Sequence, residues 1–351
     1  MSTLARAKKQ GKVFLAPVPT QVGSPAMIFK VLWLHLQNKN ETVPKQELGP
    51  FHTEVALYQR APESGLRVTW FGHSSTMVEM DGVRLLLDPV WDDRAGPLSW
   101  LGPKRFFAPT LDLATLPAID AVLLSHDHYD HLGKATVKHL ARTMPALRWI
   151  VPAGVGKLLH RLGVPADRVT ELDWTEQTVV SGAEMGVDLE VTALPARHFS
   201  GRAPWNRNHT LWMSYALRGP KHNIYFGADS GMWDGFETIG REYGPFDLTM
   251  LEIGAYNDLW KDIHMGPDGA ARTLRALGGG LLMPIHWGLF NLALHGWRQP
   301  MERITELAAQ QNLLLFAPEP GRPTEVWPGE TVTSGWWRSQ ADEPLSKSSR
   351  A

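Results

Sequence analysis

The sequence predicts an α/β fold in which two β-sheets pack together and carry helices on their outer faces. Alternating apolar segments joined by tight turns begin at Leu66, and a second run of strand-like segments begins at Val187. Helical segments follow each of these two halves. This order is typical of two packed sheets flanked by helices. Because residues 66–330 contain no linker-like stretch, we expect one domain over 66–334.

The elements are predicted from apolar periodicity and turn residues, such as the Asp81-Gly82 pair between two alternating segments. The predicted strands are Leu66–Phe71, Thr76–Met80, Val83–Leu87, Ala118–Leu124, Val169–Leu172, Val187–Leu194, His209–Leu217, Asn223–Gly227, Leu248–Glu252 and Leu281–Ile285. The predicted helices are Ala135–Met144, Val155–Leu162, Gly266–Leu277 and Met301–Gln311.

The two ends of the chain differ from this domain in composition. Residues 1–65 are rich in Pro, Lys and Gln and predict an extended and partly helical arm, and residues 335–351 predict a mobile tail. The apolar segment Ala26–Leu36 is too short and too interrupted to span a bilayer. It forms either an amphipathic arm packed on its own domain or a helix at a lipid interface.

Composition excludes several classes of function. With 43% apolar and 20% charged residues, the 351-residue chain has enough material for a substantial core. A net charge of -1 gives no basic field for nucleic acid. There is no cysteine, so thiolate ligands and disulfides are excluded. The N-terminus lacks the pattern of a secretory signal, and we expect a cytoplasmic protein, with peripheral contact at the inner face of a membrane as an alternative.

A dense group of histidines and carboxylates follows the predicted strand that ends at Leu124. His126, His128, Asp130 and His131 lie within six positions. Imidazole and carboxylate are ligands that zinc accepts, and catalytic zinc sites commonly keep one position for water. The spacing therefore predicts a metal site that activates water.

Three later segments each place a suitable ligand after an apolar strand, namely His198, Asp229 and His286. Each residue alone is more typical of a turn or a satisfied polar group. Their order after the first motif resembles the metallo-β-lactamase superfamily over residues 66–330. The resemblance implies a four-layer αββα sandwich with two metal ions at its edge. It assigns His126, His128 and His198 to one ion, Asp130, His131 and His286 to the other, and Asp229 to both.

Further segments resemble the N-acyl-phosphatidylethanolamine-hydrolysing phospholipase D family within that superfamily. They are Gly72–Met80, Asp88-Pro89, Gly102–Phe106, Glu171–Trp174, Gly244–Leu248, Ile253–Tyr256 and Ile285–Gly288. The resemblance implies a dinuclear zinc phosphodiesterase, with iron or manganese as alternative metals, that uses a hydroxide shared by the ions as nucleophile. The implied substrate is an N-acyl-phosphatidylethanolamine or another amphipathic phosphodiester. The sequence leaves the oligomeric state open, and a homodimer is one of the alternatives.

Beyond the ligands, the resemblance implies catalytic roles for Asp130 and His264. His264 would position the phosphate or assist proton transfer to the leaving oxygen, and the alternative is a helix-entry residue bonded to backbone. His73 and Asp88 would orient the ligands through hydrogen bonds. Three regions depart from the family: the N-terminal arm, the loop Ser200–His209 and the segment Asn257–Trp260. The resemblance therefore says more about the type of reaction than about which lipid is the substrate.

Six tryptophans fall near the predicted mouth of the site: Trp205, Trp212, Trp233, Trp260, Trp287 and Trp297. They suit an amphipathic ligand, although ordinary packing explains any one of them equally well. Three other functions stay open: a lactonase or other ester hydrolase of the same superfamily, a non-catalytic metal-stabilised binding module, and a nuclease. The nuclease is the weakest of these because no basic patch accompanies the site.

Overall fold

In a computed structural model, which describes residues 2–23, 30, 33–34, 36–182 and 187–342, two large sheets pack face to face between helices. The predicted αββα arrangement is confirmed. In chain order the strands are β1 (Lys9–Gln10), β2 (Val13–Phe14), β3 (Leu66–Trp70), β4 (Thr76–Met80), β5 (Val83–Leu87), β6 (Ala121–Leu123), β7 (Arg148–Pro152), β8 (Val169–Leu172), β9 (Gln177–Ser181), β10 (Asp188–Leu194), β11 (Ser214–Arg218), β12 (Asn223–Phe226), β13 (Leu248–Glu252), β14 (Leu281–Ile285), β15 (Leu314–Ala317), β16 (Thr324–Glu325) and β17 (Val332–Thr333).

Six α-helices accompany these strands in the described part of the chain. They are α1 (Lys134–Thr143), α2 (Gly156–Arg161), α3 (Gly235–Tyr243), α4 (Gly266–Ala276), α5 (Gln299–Gln311) and α6 (Trp336–Asp342). Short 3₁₀ turns lie at Val55–Gln59, Leu113–Thr115, Ala166–Arg168, Pro204–Asn206 and Asp258–Trp260. Among the described residues, none of these helices has the length and apolar character needed to cross a bilayer.

Each large sheet is mixed, with its parallel strands on one side. The first sheet has the order β16-β3-β4-β5-β6-β7-β8, and β5 to β8 are parallel. The second has the order β17-β15-β14-β13-β12-β11-β10-β9, and β12 to β15 are parallel. Parallel strands end at the same edge of a sheet. Residues that follow these strands are therefore brought together although they are far apart in sequence.

The first sheet is buried on both faces, which explains its continuous apolar runs. In β5, Leu85 and Leu87 belong to the core between the two sheets, whereas Leu86 packs in a second cluster on the outer face. That outer cluster includes Val137 and Leu140 of α1. Full burial of one such side chain contributes about 1.5–3 kcal/mol. The alternation of strand side chains thus fills both layers at once.

Five strands of the two large sheets and two helices are not predicted by the sequence: β7, β9, β15, β16, β17, α3 and α6. Edge strand β9 is mostly exposed, so it has no apolar alternation to detect. The predicted strand His209–Leu217 is wrong at its start, because the observed strand begins at Ser214. The preceding residues bond across to other loops, with the Leu211 N–H donating to the Ala153 carbonyl and the Met213 N–H to the Ser125 carbonyl, both at 2.9 Å.

The chain ends pack more closely than their composition indicates. In the segment 335–351, predicted as a mobile tail, Trp336 and Trp337 are buried in the core, with stacking of Trp336 on Trp287 at 5.3 Å. The packed domain therefore continues past Ser334, because two large apolar side chains are removed from water there. The N-terminal arm contributes Phe14, Leu48 and Phe51 to the core. Residues 26–29, 31–32 and 35 of the predicted amphipathic segment lie outside the described residues.

Candidate metal centre

The predicted site residues come together along the edge where strands of both sheets end. His73 follows β3, Asp88 follows β5, His126 to His131 follow β6, His198 follows β10, Asp229 follows β12 and His286 follows β14. Loops carried by a rigid sheet can hold side chains in a fixed relation. The sandwich places the two sheets' loops opposite one another, and all seven predicted ligands meet between them.

The first cluster contains His126, His128, His198 and Asp229. The Nδ1 atom of His128 lies 2.8 Å from His126 Nε2 and 3.4 Å from His198 Nε2. Asp229 Oδ2 is 3.8 Å from His126 Nε2 and 3.6 Å from His198 Nε2. One donor atom from each residue lies within 4.8 Å of all the others. These four side chains can therefore hold a single cation between them.

The second cluster contains Asp130, His131 and His286, with His73 beside them. Both His131 Nε2 and His286 Nε2 lie 3.4 Å from Asp130 Oδ2. The same two nitrogens lie 3.2 Å and 3.1 Å from Asp229 Oδ2. Asp229 is thus within reach of both clusters, as a shared ligand must be. The structure brings together the residues that the family resemblance assigns to two ions.

The unpaired atoms of the site fit a metal centre. The described residues include buried polar atoms with no hydrogen-bond partner, and three of them belong to the two clusters: His131 Nε2, His286 Nε2 and Asp229 Oδ1. A buried polar atom without a partner costs about 1–3 kcal/mol. A cation between the clusters would satisfy the nitrogens and carboxylate oxygens that face one another. Imidazole and carboxylate donors without thiolate suit zinc, and also iron or manganese.

The charge states of the side chains agree with this arrangement. Burial lowers the pKa of His126 and of His198 well below the usual range, which leaves neutral rings with lone pairs available to a cation. In the second cluster burial acts in the same direction, but the Asp229 and Asp130 carboxylates raise the pKa of His131 overall. The carboxylate pair thus concentrates negative charge at the second cluster, where positive charge is favoured.

His73 and Asp88 each lie within hydrogen-bond distance of a predicted ligand. Asp88 is fully buried, and its Oδ2 lies 2.8 Å from His131 Nδ1. The backbone N–H of Ser125 donates to Asp88 Oδ1 at 2.7 Å, and the Ser125 hydroxyl lies 2.8 Å from His126 Nδ1. His73 Nε2 is 2.9 Å from Asp130 Oδ2. These contacts fix the orientation of three ligand side chains.

Several site residues have left-handed backbone conformations, which non-glycine residues rarely adopt. His73 has φ 55°, Asp88 φ 40°, Ala228 φ 49°, Ala255 φ 55° and His286 φ 61°. Each such residue costs of order 1–3 kcal/mol and persists only where the surroundings enforce it. For His286, the backbone N–H donates to the His73 carbonyl at 2.9 Å, which ties the loops of the two sheets together.

His264 lies beside the second cluster, and its partner is a residue that the sequence did not single out. Its ring stacks on His286 with 5.0 Å between centroids, and its Nδ1 lies 2.5 Å from Glu252 Oε2, within hydrogen-bond distance. Glu252 is fully buried at the end of β13. The one signal in the sequence is a charged residue closing a buried apolar strand. The alternative that His264 bonds only to backbone is wrong, because its partner is a carboxylate.

A second unpredicted pair fixes the loop Ser200–His209. Asp127, inside the histidine motif, accepts a hydrogen bond from the Gly201 N–H at 2.7 Å, and its carbonyl accepts from Arg202 Nε at 2.6 Å. The Arg202 guanidinium also lies over the Tyr129 ring, 4.5 Å from its centroid. The loop Ser200–His209 is therefore held directly by the segment that carries four of the predicted ligands.

A cleft of about 350 Å³ opens onto the clusters. Its polar floor is His128, Asp130, Asp229, His264 and His286, and its walls are mainly apolar, formed by Val22, Phe199, Ala255, Trp260, Ile263 and Leu292. Val22 belongs to the N-terminal arm. The arm is fixed nearby, since the Gln21 N–H donates to Asp262 at 3.0 Å. A polar floor with apolar walls suits an amphipathic ligand.

The tryptophans predicted near the mouth have different locations. Trp260 lines the cleft, whereas Trp212, Trp287 and Trp297 are buried in the core. Trp205 is exposed. Trp233 lines a separate cavity under the N-terminal arm. Ordinary packing explains the three buried residues, and Trp260 is the one of the six that can contact a ligand in the cleft.

Known proteins share this sequence pattern and fold. The sequence profile of the beta-lactamase superfamily domain matches residues 83–287. A protein of Mycobacterium tuberculosis, itself uncharacterized, is 47% identical over 80% of this chain and 73% of its own length. N-acyl-phosphatidylethanolamine-hydrolyzing phospholipase D 1 of Caenorhabditis elegans is 35% identical over 86% of this chain and 88% of its own length.

Solved structures agree on the fold at low sequence identity. A metallo hydrolase of Ignicoccus hospitalis, Igni18, superposes with a TM-score of 0.55 at 20% identity, covering 74% of this chain and 97% of that one. An isothiocyanate hydrolase from Delia radicum gut bacteria gives a TM-score of 0.57 at 18% identity, covering 74% and 99%. The chain therefore belongs to the metallo-β-lactamase superfamily and, within it, is a relative of the N-acyl-phosphatidylethanolamine-hydrolysing phospholipases D.

Proposed function

We propose that this metal-dependent hydrolase is a phosphodiesterase of phospholipase D type, acting on an N-acyl-phosphatidylethanolamine-like or other amphipathic phosphodiester. One observation carries the proposal: Asp229 lies within 3.8 Å of histidine nitrogens in both His/Asp clusters, in a cleft whose floor also holds His264. The similarity to the C. elegans enzyme over most of both chains supports the same reaction class.

The residues of the cleft have separable roles in such a reaction. Two bound cations would supply an activated water and would stabilise the attacking and leaving oxygens of an in-line displacement. His126, His128 and His198 would hold one cation, Asp130, His131 and His286 the other, and Asp229 both. Asp88 and His73 keep these side chains oriented. We assign zinc to both positions, with iron or manganese distinguished by elemental analysis.

Hydrolysis forms a bond from phosphorus to the water oxygen and breaks the bond from phosphorus to the leaving alcohol's oxygen. The water loses a proton, and the leaving oxygen gains one. His264 lies on the floor of the cleft with Nδ1 bonded to Glu252, so Nε2 is the ring nitrogen left for the substrate. We assign it the transfer of the proton to the leaving oxygen, a role worth roughly 10²–10⁴-fold in rate.

The walls of the cleft support an amphipathic substrate. Phe199, Trp260 and Leu292 line it above the polar floor, where a phosphate flanked by apolar chains would fit. A lipid substrate requires contact with a bilayer. Leu98, Trp100 and Leu101 are exposed near the tip of one hairpin loop, with Trp100 71% exposed, and they support peripheral membrane contact. The overall charge of -1 speaks against a nucleic-acid substrate.

The test measures metal content and hydrolysis in the purified protein. We expect about two equivalents of zinc and cleavage of both an aryl phosphodiester and an N-acyl-phosphatidylethanolamine. Asp130→Ala and Asp229→Ala should abolish both activities, and Asp167→Ala, an exposed residue far from the site in the sequence, serves as the control. Undiminished turnover in the site variants would overturn the proposal. Activity confined to a lactone panel would establish the lactonase instead, and metal binding without any turnover would indicate a binding module.

A further inference from the structure

Glu252 is a buried carboxylate in the middle of the catalytic edge, the edge of the sandwich where the predicted metal ligands lie. The roles assigned above include none for Glu252 itself. It is the last residue of β13, between β12, which leads to Asp229, and β14, which leads to His286. The register pairs Glu252 with Ile285. Its side chain is 0% exposed. The other residues of β13 are fully buried, mostly apolar side chains, so a charged residue here needs a reason.

The contacts of Glu252 lead to one imidazole. His264 Nδ1 lies 2.5 Å from Oε2, and the backbone N–H of Met265 donates to Oε1 at 2.7 Å. His286 Nδ1 lies 3.9 Å from Oε2, beyond hydrogen-bond distance. Both oxygens are thus used on the segment that carries His264. The bond to Met265 fixes the backbone next to the imidazole, and the bond to Nδ1 fixes the ring.

We propose that Glu252 is a positioning residue that keeps the proton on Nδ1 of His264 and directs Nε2 toward the leaving oxygen of the substrate. The inference rests on the proposed phosphodiesterase function for its kinetic consequence. A carboxylate bonded to one ring nitrogen sets the tautomer and stabilises the imidazolium form, from which the other nitrogen donates. Without it, the ring can rotate or take the other tautomer.

The consequence is a dependence on the leaving group. An alkyl alcohol such as an N-acylethanolamine leaves as a strong base and needs a proton as the bond to phosphorus breaks. A nitrophenolate leaves as a weak base and needs little help. If Glu252 acts through His264, its removal must slow the alkyl substrate far more than the aryl substrate. A residue that only supports folding or metal binding would slow both alike.

The experiment compares Glu252→Gln, His264→Ala and the double variant in the metal-loaded protein on an N-acyl-phosphatidylethanolamine and on a p-nitrophenyl phosphodiester. We expect Glu252→Gln to lower the ratio of alkyl to aryl kcat by roughly 10–100-fold, the range typical of partners that orient a histidine. KM should change little. The double variant should be no slower than His264→Ala, because residues that act as a unit are not additive.

A readout without turnover makes the inference independent of the activity. In metal-loaded protein, the Nδ1 proton bonded to a buried carboxylate should give a downfield imidazole resonance by proton NMR. It should be absent in His264→Ala and shifted upfield in Glu252→Gln. Should wild type cleave no phosphodiester, the proposed function fails while this resonance still decides whether Glu252 holds the ring.

Glu79→Gln is the matched control, since Glu79 is a buried glutamate that pairs with Arg67 at 2.6 Å, outside the cleft. It should lower the free energy of unfolding and leave the alkyl-to-aryl ratio unchanged. Equal losses on both substrates in Glu252→Gln, a loss of bound metal in that variant, or additive losses in the double variant would overturn the inference. An unshifted resonance in Glu252→Gln would do the same.

Discussion

The catalytic edge and the opposite edge of the sandwich each contain an aspartate paired with a histidine, and the two pairs differ in burial: Asp88 and His131 are fully buried, whereas Asp81 and His222 are half-buried. At the catalytic edge, Asp88 contacts His131 at 2.8 Å. At the opposite edge, Asp81 contacts His222 Nδ1 at 2.7 Å, between the β4–β5 turn and the start of β12. The two geometries are nearly the same, but the far nitrogen of His131 has no hydrogen-bond partner.

Asp81 is fully engaged in structural bonds. Beyond His222 Nδ1, it accepts the backbone N–H groups of Lys221 at 2.9 Å and of His222 at 3.0 Å. Its left-handed backbone, at φ 52°, is the one that an Asp-Gly hairpin turn requires. The Asp81–His222 pair therefore stabilises the fold at one edge, whereas the Asp88–His131 pair orients a predicted metal ligand at the other. What distinguishes the catalytic edge is that the far nitrogen of its histidine is buried and lies 3.4 Å from Asp130 Oδ2 and 3.2 Å from Asp229 Oδ2.

The largest effect is expected at the catalytic edge from Asp88→Asn. Loss of the carboxylate behind His131 should weaken binding of one metal ion by roughly 10–100-fold, with a parallel loss of activity. Titration with zinc in competition with a chelator measures this change. Asp120→Asn, which lies before β6 rather than after it, is the matched control and should leave metal binding intact. Unchanged zinc affinity in Asp88→Asn would contradict the comparison.

Removal of metal should destabilise the protein through the catalytic edge alone. A ligand present at 100 times its dissociation constant stabilises the folded state by about 2.7 kcal/mol. Chelation should therefore lower the unfolding midpoint of wild type by a similar free energy. Asp81→Asn should show the same decrease, and Asp229→Asn a much smaller one, because it has lost the shared ligand. Thermal unfolding with and without chelator measures this decrease. A decrease in Asp229→Asn as large as that of wild type would contradict the prediction.

Asp81→Asn should affect stability and spare activity. Replacing a carboxylate that accepts three hydrogen bonds should cost about 1.5–3 kcal/mol. Urea denaturation measures the loss, and activity on the aryl phosphodiester should stay within about twofold of wild type. A metal-binding defect in this variant would show that the two edges are coupled rather than separate.

The smallest expected effect is the pH dependence of the stability that Asp81 contributes. Burial by itself raises the pKa of the Asp81 carboxyl, but hydrogen bonds from Lys221 and His222 outweigh burial and hold this pKa below its usual value. A carboxylate with a lowered folded-state pKa stabilises the fold above its unfolded pKa, and this stabilisation disappears as the pH falls through the folded value. Below about pH 4, wild type should lose stability more steeply than Asp81→Asn. Parallel curves from pH 6 to pH 3 would contradict the assignment.

Local sequence determined the elements whose signal is local. The Asp81-Gly82 turn and the alternation in β5 specify a hairpin without help from the rest of the chain, because turn geometry and side-chain alternation follow from neighbouring residues. The helix at Gly266–Ala276 and the strand ends before His126, His198, Asp229 and His286 are of the same kind. The order of these ligands after strands predicted the metal centre through its resemblance to the metallo-β-lactamase superfamily.

Tertiary structure alone decided the features that depend on partners distant in sequence. Nothing near Glu252 indicates that His264, twelve positions later, takes its carboxylate, and nothing near Trp336 indicates that Trp287 covers it. The arm reaches the cleft because Asp262 holds Gln21. A sequence records which side chains are apolar or charged, whereas their burial and pairing are fixed only when both sheets pack together and exclude water from the space between them.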